Sequence, residues 1–254
     1  MLEYAMFYPA LIFVAVAFLY ASVGFGGGSS YTAVLIESGM AYDLVPPLSL
    51  LCNIIVVSGG VYHFARAGHL KFGFALPLIA TSIPAAFLGG YVRLGESVFL
   101  ATIGTALLAA GVLLMLDRRW GSGTGAGSRL GLPARLVLGA GLGALAGITG
   151  IGGGIYLAPA LHLMRLAEAR TVAATCSVFI LVNSMSGLAG QLTKLGNQAG
   201  VLLDPSYLSL PLAVLIGGQL GSRLGSTRLP AAPIRRLTGL VILIVSFRLL
   251  WQAF

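Results

Sequence analysis

Gly24-Phe25-Gly26-Gly27-Gly28 recurs as Gly150-Ile151-Gly152-Gly153-Gly154, 126 residues further on. Each cluster follows an apolar run and precedes a short apolar stretch. That stretch opens with Ser29-Ser30 in one place and Ile155-Tyr156 in the other. More matches follow at a spacing of 128: Ser49 with Ser177, Ser58 with Ser186, Gly59 with Gly187, Arg66 with Lys194, Gly68 with Gly196, Pro77 with Pro205, Gly89-Gly90 with Gly217-Gly218 and Gly111 with Gly239. A collinear series of this kind marks an internal duplication. The chain divides into a first unit over residues 1–116, a Gly-, Ser- and Arg-rich linker over 117–132 and a second unit over 133–254.

Composition fixes the solvent of both units. Hydrophobic residues make up 57% of the 254-residue chain and charged residues only 9%, against about 25% charged in soluble domains. Apolar runs of roughly 20 residues, the length that crosses a bilayer core, recur along the chain. Backbone groups in lipid need internal partners, and the alternating pattern of a barrel is missing. The expected fold class is an all-α integral membrane protein of the cell membrane, with about eight hydrophobic segments. Each unit predicts a helix running into the glycine cluster (7–23 and 133–148), a short helix beyond it (29–38 and 155–166) and three transmembrane helices. These fall over 44–65, 72–91 and 97–116 in the first unit, and over 171–192, 207–223 and 234–250 in the second.

The net charge of +8 does not point to nucleic acid. The basic residues stand in short clusters between apolar runs, where such clusters set membrane orientation. The first polar residue is Glu3, where a secretory signal would carry Lys or Arg, so residues 1–20 are expected to stay in the mature protein. Cys52 and Cys176 lie inside apolar runs and read as small buried hydrophobes.

Charge also discriminates between topologies. If each glycine cluster turns a re-entrant, broken helix back to its starting side, each unit crosses three times. The charges then sum to +10 on one side and −2 on the other. Eight full crossings give +5 and +3. The hairpin arrangement satisfies the positive-inside rule and puts both termini outside the cytoplasm. Three crossings per unit also invert the second unit relative to the first, and inverted repeats with broken helices are a transporter architecture.

Glycine admits close backbone approach and backbone conformations closed to other residues. A helix starting just after such a break aims free N–H groups and the positive end of its dipole at whatever occupies the break. Gly26, Gly27, Gly28, Ser29 and Ser30 in the first unit, and Gly152, Gly153, Gly154 and Tyr156 in the second, are the candidate anion-binding residues. Polar residues within spans are costly and therefore informative. Ser49, Asn53, Thr175, Ser177 and Asn183 complete the candidate set. Asn53 offers an amide donor without a full charge and fits ligand binding and interhelical bonding equally, while the serines fit interhelical bonding better. Gly139, Gly143 and Gly147, like Gly217, Gly221 and Gly225, have the four-residue spacing of helix packing.

Other chemistries find no support. Neither cluster completes a nucleotide-binding glycine pattern or carries a following Lys-Ser or Lys-Thr. No His, Cys or carboxylate group has metal-ligand spacing. Spans lack a central acidic residue for a proton relay, and no nucleophile–base pair stands out. No cofactor is expected.

Val23-Gly-Phe-Gly-Gly-Gly28 and Gly147-Ile-Thr-Gly-Ile-Gly-Gly-Gly-Ile-Tyr-Leu-Ala-Pro-Ala160 resemble the paired signatures of the TauE/SafE-type sulfite exporters. Arg170-Thr-Val-Ala-Ala-Thr-Cys-Ser177 resembles the segment after the second signature. The likeness spans essentially the whole chain. It implies transport of small sulfur-containing anions, such as sulfite or organosulfonates. The proline after the second cluster, Pro159, is replaced by Ala33 in the first unit. Pro46-Pro47-Leu48-Ser49 likewise stands where the second unit has Thr175-Cys176-Ser177.

The expected function is secondary transport of a small anion, driven by a coupling ion (H+ or Na+) or by the substrate gradient. The lipid bilayer is the expected surrounding partner. Membrane-embedded enzymes and accessory membrane subunits are the competing classes. An enzyme needs grouped catalytic residues near one interface, and an accessory subunit needs a closed, apolar midplane.

Overall fold

The computed structural model describes residues 2–116, 130–164 and 166–253. Most of the predicted linker, with Arg118, Arg119 and Arg129, lies outside the described residues. Among those described there are ten α-helices and no strand: α1 (Leu2–Ser22), α2 (Gly28–Glu37), α3 (Val45–Arg66), α4 (Phe72–Tyr91), α5 (Glu96–Leu116), α6 (Leu132–Thr149), α7 (Gly154–Leu163), α8 (Ala169–Leu195), α9 (Ser209–Thr227) and α10 (Ala231–Ala253). By length and composition α3, α4, α5, α6 and α8 can cross a bilayer, whereas the apolar stretch of α1, Pro9–Ser22, is shorter. Prolines stand where a helix tolerates them at α3 and α6, in the first turn, whose N–H groups have no intrahelical acceptor.

Glycine ends the long helix before each break. Gly24, at φ 84°, closes α1: its N–H bonds the Ala21 carbonyl and the Phe25 N–H reaches back to Tyr20. The Phe25 ring then meets the Tyr20 ring edge-on, the hydrophobic contact that accompanies this type of cap. Gly150, at φ 73°, closes α6 with a single bond to the Ala146 carbonyl. The sequence thus forces the same event twice: a helix stops, the chain turns through glycines at positive φ, and a ten-residue helix begins.

Central helices α3 and α8 run antiparallel. Gly60 lies against Ser177, and Leu50 against Gly187 at the other end. The counterparts α5 and α10 are also antiparallel, with Gly104 against Leu250 and Gly111 against Leu243. Around them, α6 packs parallel to α4 and α1 parallel to α9. A Cβ at Gly139, Gly143 or Gly147 would land on the carbonyl of Leu78, Ser82 or Ala86. One at Gly217, Gly221 or Gly225 would land on that of Val14, Phe18 or Ser22. Only a hydrogen lets these backbones approach so closely, so both triplets pack helices.

The repeat register breaks in one place. Pro77 lies inside α4, whereas Pro205 opens a 3-10 turn ahead of α9. The cause is an extra 3-10 segment, Gly196–Leu203, after α8. Only residues 67–71 separate α3 from α4, so the matches of Pro77 with Pro205, Gly89-Gly90 with Gly217-Gly218 and Gly111 with Gly239 do not fall at equivalent places in their helices.

Candidate functional site

The two glycine breaks meet at Asn53, near the middle of α3. A carbon added at Gly26 would fall on Asn53 Oδ1. One at Gly28 would come 2.6 Å from Asn53 Nδ2 and 3.0 Å from Ile151 Cα. One at Gly152 would come 2.8 Å from Ser184 Oγ and 3.2 Å from Asn53 Nδ2. Both breaks need glycine here because side chains would fill the space around one amide.

Asn53 is fully buried, yet neither its Oδ1 nor its Nδ2 has a hydrogen-bond partner. The buried Ser184 hydroxyl and Asn183 Oδ1 are also without partners. An unpartnered buried polar atom costs about 1–3 kcal/mol. Such atoms are rare in native proteins, and each calls for an explanation.

Two helix starts direct their positive ends at this point. Gly27 (φ 96°) and Gly153 (φ 79°) cap α2 and α7 in the left-handed region, without a side-chain cap. Within the two helices, the Gly27 carbonyl accepts from Ser30 and Tyr31, and the Gly153 carbonyl from Tyr156 and Leu157. The N–H groups one and two places after each cap, at Gly28 and Ser29 and at Gly154 and Ile155, precede the first intrahelical bonds. Each helix start contributes a partial positive charge of about half a unit.

Among the remaining candidates, Ser29, Ser30, Ser49 and Ser177 tie the breaks and the helix starts after them to neighbouring groups. Tyr20 Oη lies 3.1 Å from Ser29 Oγ and 3.0 Å from Ser30 Oγ. Ser49 donates to the Gly28 carbonyl at 3.1 Å. Its repeat partner Ser177 donates to the Gly24 carbonyl at 3.1 Å, so a second-unit helix fastens the first-unit break. Thr175 bonds the Thr171 carbonyl and Asn183 Nδ2 the Phe179 carbonyl, each within α8. Gly153 faces Phe179 and Ala146, Gly154 faces Ile180, and Tyr156 is buried. The structure therefore brings Gly26, Gly28, Gly152 and Asn53 together, and adds Ile151, Ile180 and Ser184. Ser184 had a sequence signal: it follows Ser177 by seven residues, two helical turns along one face.

A cavity approaches each break from a different end of the bundle. One, of about 170 Å3, is lined by Ser22, Val23, Phe64, Arg170 and Ala173, next to Gly24, which touches Ala173. The other, about 30 Å3, lies between Tyr42, Pro46, Ile148 and Lys194, next to Gly150, which touches Pro46.

These features define a helical membrane protein with a buried polar point between two glycine breaks, and a cavity beside the outer edge of each break. The chain belongs to the sulfite exporter TauE/SafE family, whose pattern matches residues 9–249. It is similar to a "probable membrane transporter protein y4hK" of Sinorhizobium fredii (strain NBRC 101917 / NGR234). The identity is 30% over 244 residues, covering 95% of this chain and 97% of the relative. No solved structure matches. Family and relative alike indicate membrane transport.

Proposed function

We propose that this protein is a secondary transporter of a small oxyanion, a sulfur oxyanion or organosulfonate such as sulfite, bound at Asn53 between the two glycine breaks. The carrying observation is the orphaned Asn53 amide beside two uncapped helix starts. An anion accepts hydrogen bonds from the Asn53 and Ser184 donors and from first-turn N–H groups, and it sits at two positive dipole ends. Asn53 and Ser184 are buried, and the low local dielectric strengthens each of these contacts. The family and the relative support transport, and the residue chemistry supports an anion.

The two units act as inverted repeats, a reading supported by the antiparallel pairing of α3 with α8 and of α5 with α10. Rocking one against the other opens the Arg170 cavity or the Lys194 cavity to the site in turn. Binding to purified protein tests this. Sulfite, thiosulfate, methanesulfonate and acetate are titrated alongside choline, with thermal stabilisation as readout. Stabilisation by an anion, much reduced in Asn53→Asp, is the expected result. Stabilisation by choline alone, or an Asn53→Asp response equal to wild type, overturns the reading.

A further inference from the structure

The end of the bundle that carries Glu37, Asp43, Glu96 and Asp204 has three described basic residues, Arg93, Lys194 and Arg248. Arg248 pairs with Glu37. Arg93 and Lys194 instead line one cavity of about 300 Å3 with Asp43, Leu195 and Asn197. Among the described residues neither is ion-paired, and Asp43 pairs with neither. The Arg93 guanidinium is anchored: Nη2 donates to the Lys194 backbone carbonyl at 2.9 Å. One of its five N–H donors is thus used and the others stay available. The Lys194 side chain is half-buried beside it.

This cavity also has a direction. Asp43 and Lys194 line the 30 Å3 cavity as well, which reaches Pro46 and Ile148 beside the Gly150 break. The route thus runs from a wide, charged mouth through a constriction with room for little more than a water molecule. We propose that Arg93 and Lys194 form a second oxyanion-binding site outside this constriction, distinct from Asn53, where an anion waits until the constriction opens. The inference rests on the transport reading for its ligand class. Two fixed cations concentrate anions at the mouth, while Asp43 opposes them and keeps the site weak enough to release inward.

Lys194 and Lys71 are the only lysines in the chain, and Lys71 is exposed just ahead of α4, at the other end of the bundle. Acylation of purified, folded protein, read by mass spectrometry as the ratio of Lys194 to Lys71 modification, therefore reports on the site with an internal reference. Sulfate is the probe, since it does not consume the reagent, with sodium chloride at matched ionic strength as control. The ratio is expected to fall about tenfold near saturation, because labelling follows the unoccupied fraction. Arg93→Gln should remove the protection, Asp43→Asn should shift it to lower sulfate, and Asn53→Asp should leave it intact. An unchanged ratio in wild type overturns the proposal, as does protection that disappears in Asn53→Asp. Protection by sulfate combined with wild-type anion binding in Asn53→Asp would overturn the central-site reading and leave this one standing.

Discussion

Asn53 of the first unit lies against Gly152 of the second, close enough that a single added carbon would reach its amide nitrogen at 3.2 Å. The proposed substrate point is thus shared between the units, and its donors carry no full charge. Asn53→Asp keeps the side-chain size but places a negative charge beside the ligand. At 4 Å and an effective dielectric of about 20, like charges repel by roughly 4 kcal/mol, which weakens anion binding about a thousandfold. Asn53→Ala should cost only ~1–3 kcal/mol, one hydrogen bond to a charged group. Calorimetry on both folded variants checks this, and equal losses would make Asn53 a structural contact.

The same residue predicts a stability effect of opposite sign. Neither polar atom of Asn53 has a protein partner, so without ligand its burial is an uncompensated cost. Asn53→Ala should leave the ligand-free Tm unchanged or raise it, while abolishing most of the anion-dependent rise. A large fall in the ligand-free Tm would mean that Asn53 bonds the protein.

Gly27→Val and Gly153→Val should abolish transport with insertion retained. Both positions have φ in the left-handed region, which costs L-residues about 1–2 kcal/mol and branched ones more. The added carbons would also meet the Tyr31 ring at 2.7 Å and the Phe179 ring at 2.9 Å. Gly39→Ala, also at positive φ but facing open space, carries the strain without the collision and lies away from the site. Transport at wild-type rates in both valine variants would reduce the breaks to packing features.

The glycine breaks were legible because no other residue type does their work, and Gly24 and Gly150 end α1 and α6 by the same physical rule. Asn53 was legible as a costly polar residue in a span. Its meeting with both breaks was not, because that depends on the register between α3 and α8, a tertiary relation with no trace in either helix alone. Hydropathy reads the length of 7–23 but not its depth. In the structure α1 runs beside α9 as far as Ser22 against Gly225, so the chain turns back only beyond a full-length leg. The second-unit register drifted because residues 196–208 are longer than 67–71, and length differences in loops leave no mark on hydrophobic periodicity.

Helix packing makes a separate prediction. Gly143→Leu and Gly221→Leu insert side chains where α6 meets the Ser82 carbonyl of α4 and where α9 meets the Phe18 carbonyl of α1. Each should destabilise by about 1–3 kcal/mol or more, as overpacking does, and lower Tm and yield. Gly141 stands between these contacts with nothing within 4 Å, so Gly141→Ala should be neutral or slightly stabilising. Thermal unfolding in detergent checks all three. Comparable losses in Gly141→Ala would mean that helix flexibility, rather than close approach, is what these glycines provide.

Sidedness is the remaining prediction. The end of the bundle where α3 finishes and α4 and α8 begin carries Arg66, Lys71, Arg135, Arg170, Arg223, Arg228 and Arg236, against Glu168 alone among the described acidic residues. The opposite end carries Glu37, Asp43, Glu96 and Asp204 against three basic residues. The positive-inside rule puts the basic end in the cytoplasm. Gly73, in the first turn of α4, and Gly95, just before α5, sit at opposite ends and face open space, so each accepts a cysteine without collision. Cys52 and Cys176 are buried and give little background. An impermeant maleimide should label Gly95→Cys in intact cells and reach Gly73→Cys only after permeabilisation. The reverse pattern would invert the orientation and assign the Arg93–Lys194 mouth to the cytoplasm. Labelling of both from outside would mean that α4 does not cross, and the three-crossing unit would fall with it.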